Sequence, residues 1–307
     1  MTIVRDLTGY GRNRPEIIWP NGARVAISLS LNFEEGAELA IEQGDAETEQ
    51  FGEVPSVQPP GMRDLVQEQT FDYGMRVGLW RFLDAFDRFR LPASLQICGR
   101  AVERVPDLAR EAVQAGHEPI AHGWRWLTHS RYTDRAAERA DMVRTRDIIA
   151  ATTGVSPQGY FTRGSQSAWT RELVSELGFL YDSNALNDDL PYWESVAGRP
   201  LLIVPYGFDT NDMRYWYPNG FIRPDDFSAY SLAAVDTLLA EAERGKSSML
   251  TIGFHLRISG RPARFAAVQQ ILARLAELNG RIWVATRGDI ARHFAMATQE
   301  RRSIAPC

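Results

Sequence analysis

Cysteine is almost missing from this chain of 307 residues, which contains only Cys98 and Cys307. Two cysteines supply neither a disulfide framework nor a thiolate metal site. Cys98 falls inside an apolar run, so we expect a small buried hydrophobic side chain there. A chain of this length can instead bury a full hydrophobic core.

Basic runs and long apolar runs are also missing. The net charge is -5 and no stretch concentrates lysine and arginine, so there is no electrostatic basis for nucleic-acid binding. No apolar stretch is long enough to cross a bilayer, and the first ten residues lack the pattern of a secretory signal. We therefore expect a cytoplasmic protein with neither a nucleic-acid partner nor a membrane partner.

No glycine-rich phosphate turn follows the first apolar run, which weakens the alternative of an open, nucleotide-binding doubly wound sheet. Apolar runs instead alternate with segments of helical period, the order typical of parallel βα units. Strands are predicted near 24–33, 93–98, 118–122, 158–162, 179–182, 201–205, 249–254 and 281–285, and helices near 73–90, 134–152, 170–177, 231–243, 263–278 and 288–297. Seven or eight such units predict an α/β fold with a closed or nearly closed barrel, in one domain over 1–307.

Two long stretches, 36–70 and 184–228, do not fit this alternation. The first contains glycines, prolines and many Glu and Gln residues, and the second is rich in Asn, Asp, Pro, Tyr and Trp. Loops of this length in a compact domain are usually lids, binding loops or subunit contacts. A solvated insertion is the alternative for each.

Three predicted strands end in residues that can carry chemistry. Glu34 and Glu35 follow the first strand, His122 follows the third, and His255 ends the run that begins at 249. Because the carboxyl ends of parallel strands converge, these side chains are expected to meet. Only one glutamate should face the barrel centre, because successive side chains alternate along a strand. Neighbouring like charges raise each other's proton affinity, which suits a general base, although paired glutamates are also common on solvated loops.

Aromatic and basic residues accompany the two histidines. Trp124 and Trp126 follow His122, and indoles at the rim of a site supply apolar walls for a flat ring. Arg257 and Arg261 follow His255, and a guanidinium can hold a carbonyl-rich or anionic ligand. Two further histidines, His117 and His293, lack such a context and are interpreted as structural.

Five stretches together resemble the signature motifs of the polysaccharide deacetylase superfamily, and more narrowly its PuuE-type branch of metal-independent allantoinases and cyclic imide hydrolases. The stretches are 32–36, 122–126, 177–183, 209–214 and 253–262. The resemblance extends from about residue 5 to residue 297. It implies a distorted (β/α)7 barrel of the NodB-homology fold, an amidohydrolase acting on a small cyclic amide, a site that includes Asp212, and a homo-oligomer, for which a tetramer is expected.

Metal-dependent members of the superfamily use one carboxylate as a base, and a second carboxylate with two histidines four residues apart as ligands. The resemblance assigns Glu34 to the base, Glu35 to the metal carboxylate and His122 to the first histidine, but the second histidine falls on Trp126. An indole N–H only donates, so the set of three ligands expected of a catalytic zinc is broken. No metal cofactor is therefore expected. Metal binding through His129 is the alternative, and a solvated His129 is preferred to it.

Without a metal, side chains must activate water. We expect Glu34 or Glu35 to take a proton from water, and His122 with His255 to orient the water or protonate the leaving ring nitrogen. Arg257 and Arg163 are candidates to bind a ring carbonyl. At 163–164 the order Arg-Gly reverses that of the allantoinase-like members, so the Arg163 guanidinium could face the opposite side.

These observations favour a metal-independent hydrolase that opens the carbon–nitrogen bond of a cyclic imide, a ureide such as allantoin, or a lactam. Strained imides and ureides are more electrophilic than ordinary amides, so a metal-free site is adequate for them. One alternative is a metal-dependent deacetylase of N-acetylated sugars. A second, from another class, is a ligand-binding barrel without catalytic activity.

Overall fold

The computed structural model describes residues 5–304, and Cys307 therefore lies outside the described residues. Nine strands occur along this part of the chain: β1 Val25–Phe33, β2 Ser94–Ile97, β3 Glu118–Ala121, β4 Gly159–Tyr160, β5 Tyr181–Asp182, β6 Tyr192–Val196, β7 Arg199–Ile203, β8 Ser248–His255 and β9 Trp283–Val284. The helices are α1 Leu65–Tyr73, α2 Leu79–Phe89, α3 Gly99–Arg104, α4 Pro106–Gln114, α5 Arg135–Thr153, α6 Thr170–Glu176, α7 Pro224–Ala242, α8 Pro262–Glu277 and α9 Arg287–Ile304.

The strands form one sheet in the order β6-β7-β5-β4-β3-β2-β1-β8, with β9 beside the first half of β1. Every pairing is parallel except that of β6 with β7. At the free edge of β8, the Gly253 amide donates to the Thr210 carbonyl over 2.9 Å. The sheet thus curls into a distorted α/β barrel, which confirms the predicted fold class.

Strand β1 lies between β2 and β8 in the sheet, and all nine of its residues are buried. Parallel strands covered on both faces read as continuous apolar runs, which is why this run was recognisable in the sequence. Its register pairs Asn32 with His255 on β8 and Phe33 with Ile97 on β2. The carboxyl ends of β1, β2 and β8 therefore lie side by side.

Helix α5 begins and ends where its capping residues predict. The Asp134 carboxylate accepts hydrogen bonds from the Ala136 and Ala137 amides, and Gly154 ends the helix at φ 78°. A residue in this left-handed conformation is the usual helix stop. None of the helices within 5–304 is long and apolar enough to cross a membrane.

The structure contains elements that the sequence pattern did not predict. Strand β6 forms an antiparallel hairpin with β7 through Ala197 and Gly198, both at positive φ, a geometry that two-residue hairpin turns favour. Helix α7 begins at Pro224 rather than near 231, and α3 and α4 fill the connection from β2 to β3. The stretch 36–70 ends in α1, which continues into α2 through a π-helical turn at Gly74–Gly78.

Candidate active site

Glu34, the first residue after β1, lies at the centre of a buried polar group. Its Oε1 is 3.2 Å from His122 Nε2 and 3.6 Å from His255 Nε2, and its Oε2 accepts a 2.8 Å hydrogen bond from Arg257 Nη1. These four side chains are almost completely buried, with His255 the most exposed at 4%. The three strand ends that carry the acid and the two imidazoles therefore meet.

Asp212 fixes the orientation of His255. The Asp212 Oδ1 is 2.6 Å from His255 Nδ1, and Oδ2 accepts hydrogen bonds from the backbone amides of His255 and Ser259. A carboxylate that faces Nδ1 keeps a hydrogen on that nitrogen, so Nε2 is the ring nitrogen that faces Glu34. Asp212 begins a short 3-10 helix, Asp212–Trp216, in the second of the two long stretches.

His122 has an acceptor at each ring nitrogen. Its Nδ1 is 3.1 Å from the Phe161 carbonyl oxygen, its Nε2 faces Glu34, and the ring stacks on the Phe161 ring at 5.0 Å between centroids. The carbonyl can only accept, so Nδ1 carries a hydrogen. With Nδ1 directed at this carbonyl, Nε2 is the ring nitrogen that faces Glu34.

Glu35 points away from the two histidines. Its Oε1 accepts from the backbone amide and from Nη1 of Arg257, at 3.1 and 3.3 Å, and its Oε2 accepts from the Glu34 amide. A Cβ at Gly74 in the π-helical turn would lie 2.4 Å from Glu35 Oε1, so glycine is needed there for this close approach. Only Glu34 therefore faces the two histidines, although both carboxylates reach Arg257 Nη1.

The two glutamates differ in proton affinity. Burial opposes ionisation of Glu34, but the charges of Arg257 and His255 and the hydrogen bond with His122 outweigh it, so the pKa of Glu34 lies well below its ordinary value. Burial raises the pKa of Glu35, because Arg257 compensates it only in part and Glu34 adds a like charge. The expectation that adjacent charges raise both proton affinities is therefore wrong for Glu34.

A cavity of about 530 Å³ adjoins the site on the side of Glu35, and Glu38 also lines it. Glu38 is 6% exposed, and its Oε2 accepts a 2.6 Å hydrogen bond from the Gly36 amide. Burial raises the pKa of Glu38 from 4.5 to about 7. This carboxyl group was not recognised from the sequence, because nothing in the local pattern distinguishes it from a solvated loop glutamate.

The raised pKa of Glu38 predicts a pH dependence of stability. Between pH 4.5 and 7 the folded protein keeps a proton that the unfolded chain has released, so the free energy of unfolding falls as the pH rises. Between pH 4 and pH 8 this group should lower the free energy of unfolding by roughly 3 kcal/mol. Glu38→Gln should remove that loss and stabilise the protein at pH 8, measured by urea unfolding at several pH values.

The exposed Glu47 on the same stretch provides a matched control. Glu47→Gln should leave the pH profile of stability as in the wild type. If Glu38→Gln and the wild type lost stability in parallel from pH 5 to pH 8, Glu38 would not be the group responsible.

Trp126 packs against two guanidinium groups. The central carbon of Arg257 lies 4.5 Å from the Trp126 ring centroid, and that of Arg163 lies 3.5 Å from it. Arg163 also donates to the carboxylate of Glu49 and to the Trp126 carbonyl, so its hydrogen bonds are directed away from Glu34. Trp126 therefore forms a wall beside Arg257, and Arg163 packs against Trp126 at a greater distance from Glu34.

Two other predicted features lie outside the group around Glu34. Trp124 packs against Gly99, and the guanidinium carbon of Arg144 lies 3.4 Å from its ring centroid. Its place between α3 and α5 explains why it does not line the wall that Trp126 forms. His129 is buried, with Nδ1 2.8 Å from Glu138 Oε1, so the preferred expectation of a solvated His129 is wrong.

The donor set does not fit a catalytic metal ion. Glu35 is held by Arg257, His122 faces Glu34, and Trp126 offers only an N–H at the position of the third ligand. Among residues 5–298, whose side chains the structure describes, no group of three or more His, Cys, Asp or Glu side chains is arranged to hold a metal. The alternative of a metal bound through Glu35, His122 and His129 has no support in this geometry.

The two long stretches meet over the site. The Trp216 ring centroid lies 5.5 Å from the guanidinium carbon of Arg257, and Phe51 packs edge-on against Trp216 at 5.3 Å. Glu53 accepts hydrogen bonds from Trp216 Nε1 and from the guanidinium of Arg264 on α8. The stretch 36–70 thus carries groups that close over Arg257, and the interpretation as a solvated insertion does not fit it.

The chain is similar to known proteins both in sequence and in structure. The Polysaccharide deacetylase family matches residues 63–181. A Schizosaccharomyces pombe protein assigned by name to the polysaccharide deacetylases is 35% identical, over 95% of this chain and 97% of its own. The crystal structure of PuuE allantoinase is 42% identical with a TM-score of 0.90, over 96% of this chain and 98% of its own. A Pseudomonas aeruginosa PAO1 structure, named for the polysaccharide deacetylases, is 41% identical with a TM-score of 0.88, over 95% and 98%.

The fold and these similarities define a hydrolase of the deacetylase and allantoinase type, built on a NodB-like barrel. The chain belongs to the polysaccharide deacetylase family. Within that family, the likeness to PuuE allantoinase over nearly the whole chain supports the PuuE-type branch, as the five motifs predicted.

Proposed function

We propose that this protein hydrolyses the carbon–nitrogen bond of a cyclic amide without a metal ion. The observation that carries the proposal is Glu34, held between His122 and His255 in a site where Trp126 and a guanidinium leave no set of metal ligands. The similarity to an allantoinase supports a ring as the substrate. A cytoplasmic location and assembly as a homo-oligomer stay predictions.

In this proposal each group has one role. Glu34 takes a proton from the attacking water, and His122 holds the carboxylate in position. His255, oriented by Asp212, passes a proton to the ring nitrogen as it leaves. Burial of all four groups keeps bulk water away and strengthens their electrostatic interactions.

The walls of the site suit a small flat ring. Phe71, Trp126 and Trp216 all lie within 5.5 Å of the Arg257 guanidinium carbon, measured to their ring centroids. Aromatic faces provide apolar contact for a planar imide or ureide. Such rings are more electrophilic than an open-chain acetamide, so side chains alone are adequate to activate water against them.

A hydrolysis screen with and without a chelator tests this function. Allantoin, hydantoin, succinimide, glutarimide and dihydropyrimidine rings are incubated with purified protein, and ring opening is followed by chromatography. We expect turnover of at least one ring, unchanged after treatment with a chelator and undiminished in protein whose metal content is far below one ion per chain.

The main rival is a metal-dependent deacetylase of N-acetylated sugars, which the names of the deacetylase relatives favour. Chitin oligomers belong in the same screen for this reason. Release of acetate, with stoichiometric metal whose removal abolishes turnover, would overturn the proposal. A ligand-binding barrel without activity would bind a ring in calorimetry and hydrolyse none of them.

A further inference from the structure

Arg257 is completely buried, yet only part of its guanidinium is used. Its Nη1 donates to Glu34 Oε2 at 2.8 Å and lies 3.3 Å from Glu35 Oε1. Its Nε and Nη2 have no hydrogen-bond partner among the described residues. Buried polar groups nearly always have partners, so two buried donors without one, on a side chain that contacts Glu34, indicate a place for a ligand.

The surroundings of Arg257 hold it in one place. Its guanidinium carbon lies 4.5 Å from the ring centroids of both Phe71 and Trp126, and the two buried carboxylates Glu34 and Glu35 surround Nη1. Two carboxylates so near to each other, both almost inaccessible to solvent, need a cation between them. In this site the cation belongs to the chain itself.

We propose that Arg257 replaces a bound metal ion in this site: its charge holds Glu34 and Glu35 together, and its free Nε–H and Nη2–H bind the ring carbonyl oxygen at the bond that breaks. The second role rests on the proposed function. Trp126 fits this interpretation, because an indole cannot ligate a cation but can stack on a guanidinium.

The step that Arg257 would assist is the addition of water. The water oxygen bonds to the carbonyl carbon as Glu34 takes the proton, and the C=O electron pair moves onto the oxygen. That oxyanion accepts hydrogen bonds from Nε and Nη2. When the C=O bond forms again, the carbon–nitrogen bond breaks and the nitrogen takes a proton from His255 Nε2, which the proton held by Glu34 then replaces. Two fixed N–H donors aimed at an oxyanion are a common source of catalysis.

The charge role is tested without any substrate. Arg257→Ala leaves two buried carboxylates uncompensated and is expected to lower Tm. Low millimolar guanidinium chloride should raise the Tm of this variant more than the same concentration of sodium chloride does, because guanidinium fits the vacated place. The wild type should show no such rise. The matched control is Arg144→Ala, which removes an arginine stacked on Trp124 outside the site.

The donor role is tested by turnover. Arg257→Ala is expected to lower kcat on the best ring of the screen by roughly a hundredfold, with partial recovery on adding guanidinium. Arg257→Lys keeps the charge but not the planar fork, so it should fold with a Tm near that of the wild type and still lose most of kcat. The Arg257→Lys variant also keeps the test decisive if Arg257→Ala does not fold.

Each outcome decides one point. A Tm that does not respond to guanidinium, or responds equally in Arg144→Ala, overturns the charge role. Full kcat in Arg257→Lys overturns the donor role. If the wild type opens none of the rings, the proposed function and the donor role fail together, while the Tm response alone still decides whether Arg257 is the internal cation.

Discussion

Glu34→Gln is expected to lower kcat by roughly a thousandfold, whereas Glu35→Gln should cost far less. Both substitutions keep the shape of the side chain and remove its charge. Only Glu34 faces both imidazoles, while Glu35 is turned toward Gly74 and the backbone amide of Arg257. The measurement is kcat on the best ring from the screen, with circular dichroism and Tm to establish that each variant folds.

Glu118 offers a matched control for these substitutions. It is a partly buried glutamate at the start of β3, at the opposite end of the barrel, where it accepts hydrogen bonds from Tyr181 and Ser94. Glu118→Gln should therefore retain kcat even if it lowers Tm. Full activity in Glu34→Gln together with a large loss in Glu35→Gln would move the base to Glu35, and full activity in both would remove the general base from the mechanism.

The low pKa of Glu34 has a consequence for this assignment. It keeps the carboxylate ionised at neutral pH, but a carboxylate with a low pKa is a weak base. Arg257 contributes strongly to that low pKa and is also the group that a substrate oxygen would engage. A guanidinium that shares its charge with a substrate holds Glu34 less tightly, so binding of a ring would strengthen the base.

The meeting of Glu34, His122 and His255 could be predicted from sequence because it depends on two local facts. Each residue follows an apolar run, and parallel strands in one sheet bring such ends to one edge. The expectation that only one glutamate faces the histidines also came from the sequence, because side chains alternate along a strand. The sequence did not predict which of the two glutamates it is, since that depends on which way the sheet curls.

The roles of the tryptophans and of Arg257 depend on contacts far apart in the chain. Trp124 and Trp126 are two residues apart in a loop. Trp124 packs against Arg144 on α5, whereas Trp126 packs against Arg257, and neither contact is visible in the local sequence. The bond from Arg257 to Glu34 spans 223 residues, so no local pattern contains it. Strand β6 was not predicted, because four of its five residues are partly buried or exposed and show little apolar alternation, whereas β7 overlaps the strand predicted near 201–205.

Arg287 illustrates a buried charge with a structural role. It is the first residue of α9, is fully buried, and donates to the Ser183 and Thr251 hydroxyls and to the carbonyls of Val204 and Pro205. It therefore joins segments on opposite sides of the curled sheet. Burial lowers the pKa of the guanidinium, as expected for a cation that has no carboxylate in direct contact.

Arg287→Leu is expected to lower the free energy of unfolding by roughly 4 kcal/mol, because it leaves four buried acceptors without their donor. Urea unfolding followed by circular dichroism measures this. Arg292→Leu, on the same helix but with a side chain 47% exposed, should change the free energy by less than about 0.5 kcal/mol. A loss below about 1 kcal/mol for Arg287→Leu would mean that water or a rearranged backbone satisfies these acceptors, and that the curl of the sheet depends on apolar packing rather than on this cation.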